Sequence, residues 1–359
     1  MKDFNIYNSM KFNLFSILGF CICLFLVSCN THQDTRIPVI IETDMGNDID
    51  DALALALAHK AVDDGKIDLL MVSNHKKSLT SPEFIDIVNL WYGHPETVVA
   101  NSRMPVENNT YIDYTAGVVH LCDSLEIYDR PDRKSDYIDP VLAYRKILSE
   151  SKDNSVVIVS LGFATTLVEL LDSKSDQYSS LSGRDLVAKK VKYLSLMAGS
   201  YGIKDTIMVN GVRETLFDKT KKRCEFNVDN DIPSMKKLME EWPVAIYQNP
   251  FEIGKMVMYP ASAASERQGP VFDAYKLYKK MPYDRPTWDI LAVAYVLEPD
   301  MFNKSEAGTI VVDENGFNHF YPSAQYECRK VSENNAHYVL TLSQEQADVL
   351  RDYIISEID

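Results

Sequence analysis

Cysteine is too scarce and too scattered to organise this chain. The 359 residues contain six cysteines, of which Cys21 and Cys23 lie in the N-terminal apolar run and Cys29 lies two residues beyond its end. The three that remain, Cys122, Cys224 and Cys328, are odd in number and widely spaced. This pattern excludes a disulfide framework and a zinc-binding motif.

Positive charge is also in short supply. Lysine and arginine number 37 against 52 aspartates and glutamates, which gives a formal net charge of −15. A strongly acidic surface repels phosphate backbones, which argues against a DNA or RNA polymer as a partner. A small uncharged ligand is compatible with this charge. The 46% content of hydrophobic residues is ample for a folded core and argues against disorder.

Only one long hydrophobic run is present, at residues 14–27, and it is shorter than the roughly 18 residues that span a bilayer. Lys2 and Lys11 precede the run, and Leu26-Val27-Ser28-Cys29 ends it, which resembles the lipobox of bacterial lipoproteins. We predict a signal peptide at 1–28, lipid on Cys29, a tether at 29–36 and one domain at 37–359. The protein is then expected in the bacterial cell envelope, touching the membrane only through its lipid. A plain signal peptide and an uncleaved anchor are the alternatives.

Buried strand patterns alternate with helical patterns along the rest of the chain. This order predicts an α/β fold with a single doubly wound, mostly parallel sheet flanked by helices. Residues 101–135 show no clear period, and we interpret them as an extended connection. Ser81 is predicted to cap the helix that follows it. The predicted strands are 37–42, 67–73, 98–100, 155–160, 191–197 and 244–248; the predicted helices are 51–59, 81–92, 140–148, 164–171, 232–241, 272–280, 288–297 and 344–355.

An acidic loop between the first strand and the first helix is the sharpest feature. The segment from 42 to 51 reads ETDMGNDIDD and holds five carboxylates. Carboxylates this close repel one another, so a cation or bound protons must relieve them. Oxygen ligands favour Ca²⁺ or Mg²⁺ over zinc. Helix capping with solvated charge is the simpler alternative, although capping needs only one or two acids. The spacing is not that of an EF-hand, and Glu42 is a poor substitute for the nucleophile of an aspartate-dependent phosphatase.

This segment resembles the first loop of the nucleoside hydrolases, a group that comprises the inosine-uridine-preferring family and its relatives. That family has a strand followed by an Asp-x-Asp-Pro-Gly-x-Asp-Asp loop and an Ala/Leu-rich helix. The present chain differs by Glu for the first Asp, Met for Pro and two extra loop residues, so the role of Asp48 stays open. Later segments keep the family's order: 160–167 (SLGFATTL), 197–199 (MAG), 225–227 (EFN) and 288–289 (WD).

The resemblance implies a calcium-dependent hydrolase that releases ribose and base from ribonucleosides. In the family, Ca²⁺ binds the nucleophilic water and the ribose 2′ and 3′ hydroxyls. By position, the site residues carried over are the metal ligands Asp44, Asp51, Asp289 and Thr165 (through its carbonyl); Asp44 as the general base; Asp50 and Asn227 at the ribose diol; Glu225 at the 5′ hydroxyl; and Asn74 as a further ribose contact.

Activation of the leaving group is the point at which the chain departs from the family. Several members protonate the base with a His just before the last metal-binding Asp, and this chain has Trp288 there. Indole is not an acid near neutral pH, but it can stack on a base; otherwise Trp288 is ordinary core. His75 is the best-placed histidine for the acid. Two alternatives therefore remain: a catalytically inactive calcium-dependent nucleoside- or ribose-binding lipoprotein, and a hydrolase of another glycoside. The sequence leaves the oligomeric state open, including a homo-oligomer.

Overall fold

Ten parallel and antiparallel strands form the central sheet of the described part of the protein. The computed structural model describes residues 35–106, 113–131, 136–201, 206–209, 212–215, 224–323 and 332–358. The strands are β1 Ile37–Thr43, β2 Ile67–Lys76, β3 Val98–Val106, β4 Val156–Ser160, β5 Val191–Met197, β6 Thr206–Val209, β7 Val212–Thr215, β8 Ala245–Asn249, β9 Met258–Tyr259, β10 Arg285–Pro286, β11 Asn303–Lys304, β12 Gly308–Val312, β13 Asn318–Pro322 and β14 His337–Thr341.

The sheet order is β13-β12-β14-β8-β5-β4-β1-β2-β3, and β11 pairs with β14. All neighbours from β14 to β3 are parallel, whereas β11, β12 and β13 pair antiparallel with their neighbours. Two antiparallel pairs, β6–β7 and β9–β10, lie outside this sheet. The doubly wound, mostly parallel sheet predicted from the sequence is thus confirmed, with an antiparallel edge added at one side.

Helices cover both faces of the sheet because alternate residues of the buried strands face opposite sides. In β1, Val39 and Ile41 belong to one hydrophobic core and Ile40 belongs to the other. The helices are α1 Asp50–Asp63, α2 Ser81–Trp91, α3 Tyr114–Leu125, α4 Pro140–Glu150, α5 Thr165–Asp172, α6 Gly183–Lys190, α7 Phe226–Asn230, α8 Ile232–Glu241, α9 Phe251–Gly254, α10 Ala261–Glu266, α11 Pro270–Tyr278, α12 Trp288–Leu297 and α13 Gln344–Glu357, with 3-10 turns at Pro299–Met301 and Glu333–Asn335.

Two local predictions were wrong. Residues 101–135 are not simply an extended connection, because β3 continues to Val106 and α3 occupies Tyr114–Leu125. Ser81 does not cap α2. It is the first helical residue, the capping position is Thr80 without a side-chain bond, and the Ser81 hydroxyl donates to the Met45 carbonyl at 2.6 Å. The Ser81 hydroxyl therefore makes a tertiary hydrogen bond, whereas the local sequence pattern predicted that it would cap the helix.

Residues from Arg36 to the C-terminus form one compact unit. The predicted signal peptide, lipid site and most of the tether lie outside the described residues. Within the described residues, no helix combines the length and apolar character that crossing a bilayer requires.

Helix α12 is buried from Asp289 to Val296, and Leu291 at its centre is fully buried. We expect Leu291→Ala to lower the free energy of unfolding by about 2–5 kcal/mol, because the lost methyl groups leave a cavity. Urea unfolding measures this. Leu142→Ala on α4, where the leucine is 41% exposed, is the control and should change stability by about 0.5 kcal/mol or less. Equal losses at both positions would contradict this packing of α12.

Candidate active site

The polar clusters of the sequence meet at one edge of the sheet. Strands β2 and β4 flank β1 and run parallel to it, so β1 and β4 form the switch point of the doubly wound sheet. Ligands of such sheets bind in the crevice beyond the carboxyl ends of the strands at this point. The acidic loop follows β1, and the Leu161–Ala164 turn follows β4.

Three aspartates form a tight, buried cluster in this crevice. One carboxylate oxygen from each of Asp50, Asp51 and Asp289 lies within 4.8 Å of the other two. Asp50 and Asp51 open α1, and Asp289 lies in the first turn of α12; an Asp50 oxygen also accepts the Asp289 N–H at 3.0 Å. Burial, followed by repulsion from neighbouring carboxylates, raises the pKa of all three well above its ordinary value. The cluster is therefore unfavourable when fully ionised and alone.

Asp44 lies beside this cluster rather than within it. Its side chain is 3% exposed, and its charge acts on that of Asp51. Burial raises the pKa of Asp44, and a hydrogen bond from Asn47 and the charge of Lys76 oppose the rise. The tight cluster thus includes Asp50, which the sequence assigned to the substrate, and leaves out Asp44, which the sequence assigned to the metal. Both assignments stay predictions.

The acidic loop is held in place by side chains from two helices. Gly46 adopts φ +100°, and an added Cβ would meet the Ser81 hydroxyl at 3.2 Å and the Lys76 ammonium at 3.3 Å, so only glycine fits. The Tyr114 hydroxyl accepts the Gly46 N–H at 3.0 Å and donates to the Asp48 carbonyl at 2.7 Å. Together with the Ser81 hydroxyl, which donates to the Met45 carbonyl, Tyr114 ties the loop to helices α2 and α3.

Asp48 does not join the carboxylate cluster but forms an ion pair with Arg285. The Arg285 Nε donates to Asp48 Oδ1 at 2.8 Å, and Nη2 donates to Oδ2. Burial alone would lower the pKa of Arg285, but hydrogen bonding to Asp48 outweighs it and raises the pKa. The guanidinium also lies over the rings of Tyr278 and Trp288, at 5.2 and 5.3 Å from their centroids.

His75 is a structural residue beneath the crevice. Its Nδ1 lies 3.0 Å from a Glu42 carboxylate oxygen, and its Nε2 accepts the Phe163 N–H at 2.8 Å. The proton therefore sits on Nδ1, directed at Glu42, and both ring nitrogens are used inside the protein. The hypothesis that His75 protonates a leaving base is not supported by this geometry. Instead His75 ties the turn after β4 to β1.

Asn227, Glu225 and Asn74 surround the same crevice. Asn227 Nδ2 donates to the Leu161 and Met197 carbonyls at 2.8 and 3.0 Å, while Oδ1 accepts no hydrogen bond from the described residues. Glu225 accepts the Gly199 N–H and two N–H groups of α7, so it holds the backbone around Gly199 and the start of α7. Asn74 donates from Nδ2, and its buried Oδ1 has no partner among the described residues.

Two further predicted residues lie at helix starts on this edge. Thr165 opens α5, and its hydroxyl donates to Asp231 at 2.5 Å. Trp288 opens α12; its indole N–H donates to the Phe251 carbonyl at 3.0 Å, and its ring stacks on Phe251. Trp288 is half-buried and firmly anchored next to Asp289. Its role at a bound base stays a prediction.

The donor set fits a hard divalent cation. Every side-chain ligand in the cluster is a carboxylate oxygen, which is the ligand type that Ca²⁺ and Mg²⁺ prefer. Asp51 Oδ2 is buried without a hydrogen-bond partner, while the Thr43 hydroxyl donates to Oδ1. An orphaned carboxylate oxygen among like charges is costly unless a cation satisfies it.

Sequence reasoning missed three residues that shape the site: Tyr114, Lys76 and Arg285. Tyr114 lies in α3, the helix that showed no clear period. Lys76 is 3% exposed, and burial lowers the pKa of its ammonium against the pull of Asp44. A lysine at the end of a buried strand was a local signal that could have been used. Arg285 and Asp48 are 237 positions apart, and no local pattern links them.

The family-model comparison identifies the class of protein. The model of the inosine-uridine preferring nucleoside hydrolases matches residues 39–347, so the chain belongs to this family of N-glycosyl hydrolases. A search of curated proteins found no match.

Solved structures of the same fold include a plant nucleoside hydrolase, the PpNRh1 enzyme, at 15% identity and TM-score 0.61, covering 89% of this chain and 99% of that one. An inosine-guanosine nucleoside hydrolase is similar at 14% identity and TM-score 0.60, covering 89% and 97%. The type III effector XopQ, solved with adenosine diphosphate ribose, is similar at 13% identity and TM-score 0.60, covering 90% and 94%.

When a chelator has removed any bound metal, repulsion among the cluster carboxylates makes the stability of the protein depend on pH. Because the folded pKa of Asp289 is raised, the folded state holds a proton that the unfolded chain releases above about pH 4. Asp289→Asn removes the negative charge of this carboxylate, so it should stabilise the metal-free protein at pH 8 by about 1 kcal/mol or more. The advantage over wild type should shrink as the pH falls towards 5. Thermal unfolding with chelator measures the difference.

The exposed Asp300, changed to Asn, is the matched control and should show no such trend. A wild-type-minus-variant difference that is constant from pH 5 to 8 would show that Asp289 is not under charge repulsion.

Proposed function

We propose that this protein hydrolyses the N-glycosidic bond of ribonucleosides in a calcium-dependent reaction that releases ribose and free base. The observation that carries the proposal is the buried cluster of Asp50, Asp51 and Asp289 at the switch point of the sheet. Membership of the nucleoside hydrolase family supplies the reaction class. When bound, Ca²⁺ would orient the ribose diol and lower the pKa of the attacking water.

The residues of the chain divide the remaining tasks. Asp51 and Asp289, with Asp44 and the Thr165 carbonyl, would hold the cation. Asp44 would take the proton of the attacking water, for which its burial and raised pKa suit it better than an exposed carboxylate.

Asp50 and the open Oδ1 of Asn227 would accept hydrogen bonds from the ribose diol. Glu225 would bind the 5′ hydroxyl, and the unpartnered Oδ1 of Asn74 is a further acceptor. Buried acceptors of this kind discriminate strongly against sugars that lack a hydroxyl.

A nucleoside panel tests the proposal. Purified protein should release free ribose from one or more of inosine, uridine and adenosine, lose this activity with chelator and regain it with Ca²⁺. Ribose or nucleoside binding without cleavage would instead support the calcium-dependent binding lipoprotein. Cleavage that is indifferent to chelator would contradict the metal requirement.

Two neighbouring aspartates separate metal binding from sugar binding. We expect Asp51→Ala to abolish Ca²⁺ binding by calorimetry, because it removes the carboxylate with the orphaned oxygen. Asp50→Ala should retain Ca²⁺ and raise KM for nucleosides, since its role is at the diol. Loss of Ca²⁺ binding in both variants would show that Asp50 is a ligand too, as its place in the tight cluster allows.

We also propose that Cys29 carries lipid and anchors the protein in the bacterial cell envelope; this rests on the 26–29 motif alone. Cys29→Ala should release the protein from membranes or block its processing. Cys122→Ala, which changes a thiol buried in α3, is the control and should leave fractionation unchanged. Membrane association and mature size that both survive Cys29→Ala would refute the anchor.

A further inference from the structure

Two departures from the family pattern meet at one side chain. The lengthened acidic loop supplies Asp48, and the position before the last cluster aspartate is Trp288. Arg285 contacts both: its Nε and Nη2 bind the two Asp48 oxygens, and its guanidinium lies 5.3 Å from the centroid of the Trp288 ring. A forked ion pair and two flanking rings fix the orientation of the guanidinium as well as its position.

One nitrogen of this guanidinium remains available. Nη1 of Arg285 makes no hydrogen bond with the described residues, and the side chain is 22% exposed. The positive charge is felt at Asp50, whose own carboxylate binds the N–H of Asp289. Arg285 therefore places an unpaired donor at the α12 side of the crevice, next to the carboxylates that would hold the ribose.

The histidines of the described residues offer no acid at this place. Their positions are: His75, with both ring nitrogens bonded; His59, buried against Asn89; His94, paired with Asp63; His120, exposed on α3; and His319 and His337, in or beside the C-terminal strands β13 and β14. A base that leaves without being protonated carries negative charge, and a fixed hydrogen-bond donor stabilises that charge.

We propose that Arg285 is a catalytic residue that binds the departing base through Nη1, and that Asp48 is the positioning residue that aims it. The inference rests on the proposed nucleoside hydrolysis. As the C1′–N bond breaks, its electron pair moves onto the base, the water oxygen bonds to C1′, and the water proton goes to Asp44. The guanidinium stays protonated throughout and donates a hydrogen bond to the base anion, which later takes a proton from solvent.

The chemistry favours bases with carbonyl acceptors, such as hypoxanthine and uracil. Charge on such a leaving ring spreads to oxygen and ring nitrogen, both of which accept from a guanidinium. A p-nitrophenolate leaves readily without help, so its riboside should depend far less on Arg285. Removing one fixed donor at a developing charge commonly costs about 10²–10³ in rate.

The experiment compares Arg285→Gln with wild type on inosine and on p-nitrophenyl riboside. We expect kcat for inosine to fall about 100-fold or more, and kcat for p-nitrophenyl riboside to fall less than about 10-fold. Arg130→Gln is the matched control, because Arg130 is also an ion-paired, 27% exposed arginine but its partners, Glu83 and Asp123, are not residues of the candidate site. It should leave both rates unchanged.

Further variants test whether a loss of activity is caused by misfolding. Asp48→Asn/Arg285→Gln removes both charges together and should show the same selective loss, and Asp48→Asn alone should give a smaller one. Calcium binding by calorimetry should survive in all. Equal losses on the two substrates, or a change in KM alone, would overturn the role of Arg285. Failure of the wild type to cleave any riboside would instead refute the proposed function, so the two failures are distinguishable.

Discussion

Mutual repulsion among buried carboxylates is the constraint that organises this end of the molecule. Asp50, Asp51 and Asp289 come from two helices on one face of the sheet, and burial forces their charges together at low effective dielectric. The N-terminal dipoles of α1 and α12 offset part of that cost, because all three residues lie in the first turn of a helix. A divalent cation would offset the rest, and a cluster of oxygen ligands alone is the donor set that suits one.

Such a cluster is useful only if its geometry does not relax, and the surrounding contacts prevent relaxation. Tyr114 holds the loop through two backbone groups, and Ser81 holds the Met45 carbonyl. His75 of β2 joins Glu42 of β1 to the turn after β4, so the two strand ends at the switch point are tied together. Tyr114 and Ser81 thus fix the acidic loop itself, and His75 fixes the strand end that leads into it.

Local patterns predicted the sheet because buried parallel strands are continuous apolar runs, and they predicted the acidic loop because its five carboxylates lie within ten residues. They failed where the deciding contact is distant in sequence. The Ser81 hydroxyl donates to a carbonyl 36 positions away instead of capping its own helix. Asp48 forms an ion pair with an arginine 237 positions away. Family resemblance located Trp288, but it gave no sign that Arg285 would lie over that ring. The sequence analysis also did not predict the antiparallel strands β12 and β13, because short strands lack a strong hydrophobic period.

The charges around the crevice are arranged in a way that suits the proposed reaction. Five carboxylates, those of Asp44, Asp48, Asp50, Asp51 and Asp289, act on one another there, against the two fixed cations Lys76 and Arg285. If all are ionised, three negative charges remain, and a divalent cation reduces them to one. A ribosyl group that develops positive charge would then form beside a net negative site. Because Arg285 stands at the α12 side, the negative charge of a departing base would meet a cation. The positive ribosyl group would thus lie beside the carboxylates and the negative base beside Arg285, so the fixed charges of the protein would stabilise both.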